Sequence, residues 1–166
     1  MDKNFSKDKV AVITGGAKKI GRSTAKKLAN QGFNVLIHTG GKSIDEAKKT
    51  AELVKGYSVK SDVVDGDLED LKTIDKIKEA AQKLGTPSIL INNAGLRIFE
   101  DFEKIKYEDW KRVMTVNVDA SFLCTQALIG PMVKQGWGRV INIGGLSAHI
   151  GAKERAHVVT SKAALV

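Results

Sequence analysis

The sequence predicts an α/β domain in which helices cover both faces of a parallel sheet. Its strand candidates are short apolar runs without polar alternation, a pattern typical of strands buried on both faces. Helical patterns separate these runs, and a glycine-rich turn follows the first of them. The 166 residues, 42% hydrophobic and 28% charged, are enough for one core of ordinary size.

The first predicted unit is a strand, a glycine turn and a helix. The apolar run 10–13 stops at Thr14. Ile20, Thr24 and Leu28 then recur every four residues, which indicates one face of a helix that ends before the next glycine.

The alternation continues along the chain. Residues 34–38 predict the second strand, 43–55 the second helix, and a third strand is expected between residues 57 and 68. Further on, 71–84 predicts a helix with Asp70 as its N-cap, and 88–91 predicts a strand.

The last predicted elements are a long helix over about 107–135 and a fifth strand over 140–143. Right-handed crossovers between parallel strands then give a doubly wound sheet in a three-layer α/β/α arrangement. No repeat or linker divides the chain, so we expect a single domain over 1–166.

Composition excludes several classes of protein. With Cys124 as the one cysteine, no intramolecular disulfide can form, and the N-terminus lacks the apolar run of a signal peptide. The apolar stretch 113–133 is interrupted by Asn117, Asp119 and Gln126, so no membrane span is expected. These observations favour a cytoplasmic protein, and no metal-ligand pattern is present in the sequence.

The net charge of +8 is unevenly distributed. Residues 1–60 hold 13 Lys and Arg against 5 Asp and Glu, whereas the remainder is balanced. Such an excess attracts polyanions, either a nucleic acid or a phosphorylated small molecule, unless it is only a solvated helix face. Because no aromatic side chains interleave with the basic ones, no nucleic-acid partner is expected.

Ligands of doubly wound sheets bind beyond the carboxyl ends of the strands, so the loops there are informative. The first loop begins Thr14-Gly15-Gly16 and opens a helix, an arrangement suited to a pyrophosphate, although a glycine turn alone is weak evidence. The fourth loop reads Asn92-Asn93-Ala94-Gly95.

On these motifs the sequence resembles the short-chain dehydrogenase/reductase family, from about Val10 to the last residue. Thr14, Gly15 and Gly21 match its cofactor loop, and 92–95 match its Asn-Asn-Ala-Gly strand end. The basic first loop is similar to that of the pteridine-reductase-like branch, and a 3-oxoacyl-carrier-protein-reductase-like branch is the other candidate. The resemblance implies a Rossmann-type fold and hydride transfer between a nicotinamide cofactor and a carbonyl or alcohol substrate.

The resemblance also implies a set of cofactor-binding residues. They are Thr14, Gly15, Lys18, Lys19, Ile20, Gly21, His38, Lys42, Asp67, Leu68, Asn93, Ala94, Gly95 and Lys162. Lys19 departs from the family, which usually has glycine there; its side chain either contacts phosphate or points to solvent. Asp67 is taken as the acid at the adenine edge, with Asp62 as the alternative register.

Charge decides between the two cofactors. A site that selects NAD(H) places a carboxylate after the second strand, where it accepts the ribose 2′-hydroxyl and repels a 2′-phosphate. This chain has His38 there and no acid before Asp45, and Lys18 and Lys42 are available to the phosphate. The sequence therefore favours NADP(H) over NAD(H).

The family's catalytic set is only partly present. By the resemblance, Asn117 belongs to the proton relay and Lys162 is the catalytic lysine. Its tyrosine position holds Val158, and its serine position holds Gly145. Tyr107 also has a lysine four residues later, but it precedes Asn117, so that match is coincidental.

Two residues are candidates to supply the missing groups. Ser147 lies two positions beyond the expected serine, and His157 lies next to the expected tyrosine. His157 is rotated away from Lys162 if both lie on one helix, an objection that weakens if the helix begins just after His157. Helix capping or surface exposure are the alternatives for both residues.

Two functions from different classes follow. The first is an NADP(H)-dependent oxidoreductase with an atypical proton donor, and the second is an NADP(H)-binding protein without turnover that acts as a sensor or partner subunit. The chain ends before the last strands that the resemblance implies, so we expect it to be a fragment, and the complete protein is expected to form dimers or tetramers.

Overall fold

A computed structural model describes residues 6–166 of the chain. The part of the signal-peptide prediction that rests on residues 1–5 lies outside this range. Five parallel strands form one sheet in the order β3-β2-β1-β4-β5. The strands are β1 (Lys9–Ile13), β2 (Asn34–Thr39), β3 (Ser61–Asp65), β4 (Thr86–Asn92) and β5 (Arg139–Asn142).

Helices connect the strands and cover both faces of the sheet. They are α1 (Lys19–Asn30), α2 (Ile44–Lys55), α3 (Leu71–Leu84), α4 (Tyr107–Met114), α5 (Ala120–Lys134), α6 (Ser147–Ile150) and α7 (Ala156–Ala163). A 3₁₀ turn, Phe102–Lys104, precedes α4.

Alternate residues of the strands enter two cores, one on each face. On β1, Val10 and Val12 pack with α3 and α5, whereas Ala11 and Ile13 pack with α1 and α2. Strands β1, β2 and β4 are therefore largely buried on both sides, as predicted, whereas β5 at the edge of the sheet is exposed along its length. The three-layer doubly wound arrangement is confirmed.

The carboxyl ends of β1, β2 and β4 lie at one level. Ile13 pairs with Ile37 of β2 on one side and with Ile91 of β4 on the other. Strands β2 and β3 lie on one side of β1, and β4 and β5 lie on the other. Because the order of the strands reverses at β1, a crevice opens between the loops after β1 and β4.

The predicted long helix is one continuous helix with an irregular centre. A π-helical segment, Thr115–Asp119, joins α4 to α5. By length and composition alone, the helix Tyr107–Lys134 is long and apolar enough to cross a membrane, even though the polar residue Asn117 lies within its apolar stretch. Its α5 part contributes Ala120, Cys124, Leu128 and Met132 to the core beside the sheet, which is the packing of a core helix.

The third strand lies within the expected range 57–68, but it stops short of Asp67 and Leu68, where the sequence pattern predicts its end. β3 ends at Asp65, because the chain turns at Asp67: its carbonyl accepts the N–H of Asp70 and its carboxylate accepts the N–H of Glu69, both at 3.1 Å. The predicted cap of α3 is confirmed, since the Asp70 side chain accepts the N–H of Lys72 at 3.0 Å.

Candidate functional site

Two side chains join the carboxyl ends of β1 and β4. Thr14 Oγ1 accepts the backbone N–H groups of Asn93 and Ala94, each at 3.0 Å. The Asn93 side-chain amide donates to the carbonyls of Thr14 at 3.0 Å and of Gly15 at 2.9 Å. These four bonds hold the first and fourth loops together, so the crevice between them has a fixed geometry.

The glycine turn packs at distances that exclude side chains. Gly15 has a φ of +61°, and a Cβ there would lie 2.9 Å from the Cα of Ala94. A Cβ on Gly21 would lie 2.5 Å from the Gly15 carbonyl oxygen. Glycine at these two positions lets the turn and the start of α1 pack against the fourth loop.

The N-terminus of α1 is open to an anion. No side chain caps α1, and its first turn contains no acidic residue. By contrast, α2 has Asp45 and Glu46 in its first turn, and α3 is capped by Asp70. The unpaired N–H groups and the positive end of the α1 dipole therefore form an arrangement that binds phosphates.

Lys19 occupies a backbone conformation that favours glycine. Its φ is +50°, and its side chain is exposed. A lysine in the left-handed region is strained, which gives a physical reason for glycine at the corresponding family position. Lys19 is absent from the linings of both cavities described below, so the structure does not bring it to either of them.

The first cavity has a volume of about 430 Å³ and lies at the carboxyl end of β2; we call it the β2 cavity. It brings together most of the predicted cofactor residues. Its lining is Gly15, Ala17, Lys18, His38, Thr39, Gly40, Lys42, Ser43, Asp67, Leu68, Ala94, Gly95, Leu96, Arg112 and Val116. Lys18 and Lys42 are both exposed, so their ammonium groups are accessible to an anionic ligand.

Asp67 is the one carboxylate in this lining, and it is partly paired. Arg112 on α4 lies 3.7 Å from Asp67 and donates to Glu69 at 2.9 Å. The alternative acid, Asp62, lies inside β3 opposite Leu36 and does not line the cavity. The structure therefore brings Asp67, and not Asp62, to the ligand side of the sheet.

His38 links three segments of the β2 cavity. Its Nδ1 accepts the N–H of Gly15 at 3.4 Å, and its Nε2 lies 3.0 Å from the Gly66 carbonyl, which requires the proton on Nε2. Burial lowers the pKa of His38, although the Gly66 bond and the charges of Asp65 and Asp67 partly oppose this shift. The neutral ring is thus the form that joins β2 to the loops after β1 and β3.

The second cavity has a volume of about 510 Å³ and adjoins the first at Gly95; we call it the Lys162 cavity. Its lining comes from the loop after β4, the segment after β5, and α7. The residues are Ile20, Asn93, Gly95, Arg97, Ile143, Gly144, Gly145, Leu146, Ser147, Ile150, Gly151, Ala152, Arg155, Val158 and Lys162.

Lys162 is 9% exposed and donates from Nζ to the Ile143 carbonyl at 2.7 Å. Burial lowers the pKa of its ammonium group. A Cβ added to Gly95 would lie 3.4 Å from Nζ, so the amine borders the strip that the two cavities share. Among residues 6–166 no carboxylate lies within ion-pair distance of Lys162.

Asn117 is fully buried in the π-helical segment and connects three elements. Its Oδ1 accepts the N–H of Leu96 at 2.7 Å, and its Nδ2 donates to the Leu96 carbonyl at 3.2 Å and to Ser161 Oγ at 2.8 Å. The extra residue of a π turn is what changes the direction of a side chain within a helix. Asn117 therefore fixes both the loop after β4 and the helix that carries Lys162.

The two candidates for the missing catalytic groups lie in different places. Ser147 lines the Lys162 cavity. His157 is fully buried, does not line the cavity, and neither of its ring nitrogens has a hydrogen-bond partner among the described residues. The idea that the helix begins after His157 is wrong, because α7 begins at Ala156. His157 consequently faces a different side of the helix from Val158 and Lys162.

Neither Tyr57 nor Tyr107 lines either cavity. Val158 and Gly145, the positions aligned with the family's tyrosine and serine, both line the Lys162 cavity. Tyr107 is exposed at the start of α4, with Lys111 Nζ 4.8 Å from its ring centroid, and Tyr57 follows α2.

Sequence reasoning missed two residues of the site, Arg112 and Arg155, which line the two cavities. No local pattern marks them, because each is brought to the site by helix packing. In the described part of the chain no group of three or more metal-ligating side chains is present, and Cys124 is buried, with its pKa raised to about 12 by burial.

The comparisons with known proteins agree with this geometry. The family model for short chain dehydrogenases matches residues 9–166. The chain is 37% identical over 161 residues to L-rhamnose 1-dehydrogenase (NADP(+)) of Thermoplasma acidophilum, covering 96% of this chain and 63% of that protein. It is 36% identical over 160 residues to the 3-oxoacyl-(acyl-carrier-protein) reductase FabG of Aquifex aeolicus, covering 95% of this chain and 64% of the reductase.

Comparison with solved structures also finds dehydrogenases with a similar fold. The acetoin dehydrogenase YohF of Salmonella typhimurium superposes with a TM-score of 0.90 at 32% identity, covering 95% of this chain and 63% of that one. A xylitol dehydrogenase with bound NAD+ superposes with a TM-score of 0.87 at 26% identity, covering 96% of this chain and 62% of that one. The chain therefore spans about 63% of the length of such relatives. By its motifs, fold and relatives, it belongs to the short-chain dehydrogenase family of oxidoreductases.

Proposed function

We propose that this chain binds NADP(H) and belongs to an oxidoreductase that transfers hydride between the nicotinamide and a carbonyl or alcohol substrate. The observation that carries the proposal is the β2 cavity, which Lys18 and Lys42 both line at the end of a strand that carries no carboxylate. The named relatives include an NADP-dependent dehydrogenase and an NAD-bound one, so the choice of cofactor rests on this charge.

The residues present fit a dinucleotide. The Gly15 and Gly21 turn and the uncapped N-terminus of α1 supply N–H groups for a pyrophosphate. The β2 cavity on one side and the Lys162 cavity on the other offer room for the two ends of the ligand, with Gly95 between them.

Two lysines favour a 2′-phosphate, because each ammonium group adds a charge-assisted hydrogen bond that the 2′-hydroxyl of NAD(H) cannot match. The nearby acids are engaged elsewhere. Asp65 accepts the N–H of Gly41 at 2.6 Å, and Asp67 lies beside Arg112. We expect Asp67 and Leu68 to border the adenine instead.

A nicotinamide bound in the Lys162 cavity would supply or accept the hydride. Lys162 is placed to hold the ribose, since its Nζ borders Gly95. Asn117 holds the loop after β4 through Leu96 and belongs to the proposed proton relay. For the proton itself, Ser147 and Lys162 are candidates that line the cavity; His157 stays a weaker one, because it does not line the cavity.

The test of cofactor choice is a titration of the purified chain with NADPH and with NADH, followed by the fluorescence of the nucleotide. We expect Lys18→Gln combined with Lys42→Gln to weaken NADPH binding about tenfold or more and to leave NADH binding unchanged. Lys26→Gln, which removes an exposed charge from α1, is the control. Equal affinity of the wild type for the two cofactors would contradict the proposed preference.

A second candidate function is a cofactor-binding protein without turnover. What supports it is that Val158 and Gly145 line the Lys162 cavity where the family's hydroxyl groups are expected. Introducing Val158→Tyr together with Gly145→Ser discriminates the two functions when reduction of a panel of ketones is followed by NADPH consumption. Turnover by the wild type that Lys162→Ala abolishes supports the oxidoreductase, whereas turnover only by the double variant supports the protein without catalysis.

We further propose a homo-oligomer that uses the outer face of α5. Phe122, Ile129 and Val133 lie on one side of this helix and are 63%, 42% and 72% exposed. Light scattering of the wild type and of Phe122→Lys tests this. A dimer or tetramer that dissociates in the variant is expected, and a monomeric wild type would contradict it. A cytoplasmic location and the absence of a nucleic-acid partner stay predictions.

A further inference from the structure

The Lys162 cavity carries an excess of positive charge, and two of its cations, Arg97 and Arg155, have no part in the proposed hydride transfer. Its charged lining residues are Arg97, Arg155 and Lys162, and within residues 6–166 no carboxylate lines it. None of the three has an ion-pair partner in that range. Outside the cavity, Arg22 and Arg112 pair with carboxylates at 2.6 Å and 2.9 Å, whereas Arg139 lies over the Trp137 ring instead.

Arg155 is the most constrained of these cations. Its guanidinium lies 4.7 Å from the centre of the Phe99 ring, and its Nε is buried without a hydrogen-bond partner in the described chain. A buried donor without an acceptor costs free energy, and an anion beside this guanidinium would offset that cost through its charge. Arg155 is also the N-cap of α7, which no side chain caps, so the positive end of that helix borders the cavity with Val158.

Apolar side chains form the rest of the wall. Ile150 and Leu146 are each 73% exposed, and Val158 lies beside Lys162. A ligand that suits this lining has an apolar body and an anionic group. A guanidinium presents two parallel N–H donors to a carboxylate or phosphate, which makes Arg97 and Arg155 better suited to such a group than to a neutral oxygen.

We propose that the substrate of this site is an anionic carbonyl compound, whose carboxylate or phosphate is bound by Arg97 and Arg155 while its carbonyl lies toward Lys162. This inference rests on the proposed oxidoreductase function and names its substrate class. The competing explanation is that both guanidinium groups are only solvated surface charges, which the experiment below separates.

The experiment measures binding of three matched ketones by calorimetry: 4-acetylbenzoate, its methyl ester, and 4-acetylphenyl phosphate. They share one aromatic ketone and differ in the anionic group. We expect the carboxylate or the phosphate to bind at least about tenfold more tightly than the ester, and the stronger of the two identifies the preferred anion. Arg97→Gln and Arg155→Gln should each reduce that preference, and the double variant should abolish it.

Lys153→Gln is the matched control, because it removes one exposed positive charge two positions from Arg155 without altering the lining. An equal loss in this variant, equal binding of acid and ester, or no binding of either anion by the folded wild type would overturn the inference. NADPH is titrated on the same samples. Anion preference without NADPH binding would refute the proposed function alone, and NADPH binding without anion preference would refute the substrate class alone.

Discussion

The two cavities differ in the groups that form them, which are mainly backbone groups in one and side chains in the other. The β2 cavity rests on backbone groups: glycines without room for a Cβ, and loops held by Thr14, Asn93 and His38. The Lys162 cavity is lined mainly by side chains from the segment after β5 and from α7, and the glycines of that segment, unlike Gly95, have space around them. A substitution in the loops that frame the β2 cavity should therefore lower the stability of the fold. A substitution in the lining of the Lys162 cavity should change which ligands bind there without loss of the fold.

Alanine at a glycine of the turn beside the β2 cavity and at a glycine that lines the Lys162 cavity gives the largest expected contrast. A Cβ on Gly21 would lie 2.5 Å from a carbonyl oxygen, whereas one on Gly145 would have its nearest neighbour, Ser147 Oγ, at 3.8 Å. Gly21→Ala should lower the free energy of unfolding by about 1–3 kcal/mol and abolish measurable NADPH binding. Gly145→Ala should change neither. Urea unfolding and nucleotide titration measure both effects, and similar losses in the two variants would remove the distinction.

A smaller effect tests the side-chain bonds that join the two loops. Thr14→Val keeps the shape of the side chain but leaves the N–H groups of Asn93 and Ala94 without their acceptor. We expect a loss of about 1–3 kcal/mol in urea unfolding, because both donors lie in a partly buried crevice. Thr160→Val is the control: its hydroxyl donates to the Ala156 carbonyl on an exposed helix face, where the loss should be small. Equal losses of unfolding free energy in the two variants would show that the bonds of Thr14 contribute no more than the exposed bond of Thr160.

The features that could be predicted from the sequence are those of the backbone frame, and those that could not depend on how side chains and helices pack. Continuous apolar runs and glycine turns identify strands and loops locally, so the sheet and the glycine frame were predictable. The end of β3 was not, because it depends on hydrogen bonds of Asp67 within its own turn. The burial of His157 and the approach of Arg155 to the cavity were not predictable either, since both follow from how α7 packs.

The pH dependence of stability tests His38. Its pKa is lowered from 6.5, so below pH 6.5 the unfolded chain binds a proton at this residue before the folded chain does. The free energy of unfolding should therefore fall as pH decreases from 6.5 toward the lowered value, by at most about 1.4 kcal/mol per pH unit. His38→Gln should flatten this slope, and His149→Gln, on an exposed residue, should not. Unfolding at several pH values measures it; identical slopes in wild type and His38→Gln would contradict the role of the neutral ring.

Lys19 is the one place where the frame of the first cavity carries an unfavourable residue, and it gives the smallest predicted effect. Because its φ is +50°, Lys19→Gly should raise the free energy of unfolding by up to about 1 kcal/mol. The neighbouring Lys18 has an extended φ of −154°, so Lys18→Gly relieves no strain and should lower stability slightly. Since Lys19 is absent from the linings of both cavities, NADPH affinity should survive Lys19→Gly. A clear loss of NADPH binding in that variant would instead indicate that the Lys19 side chain contacts a phosphate. The strained backbone would then be the cost of a cation that the glycine of other family members cannot supply.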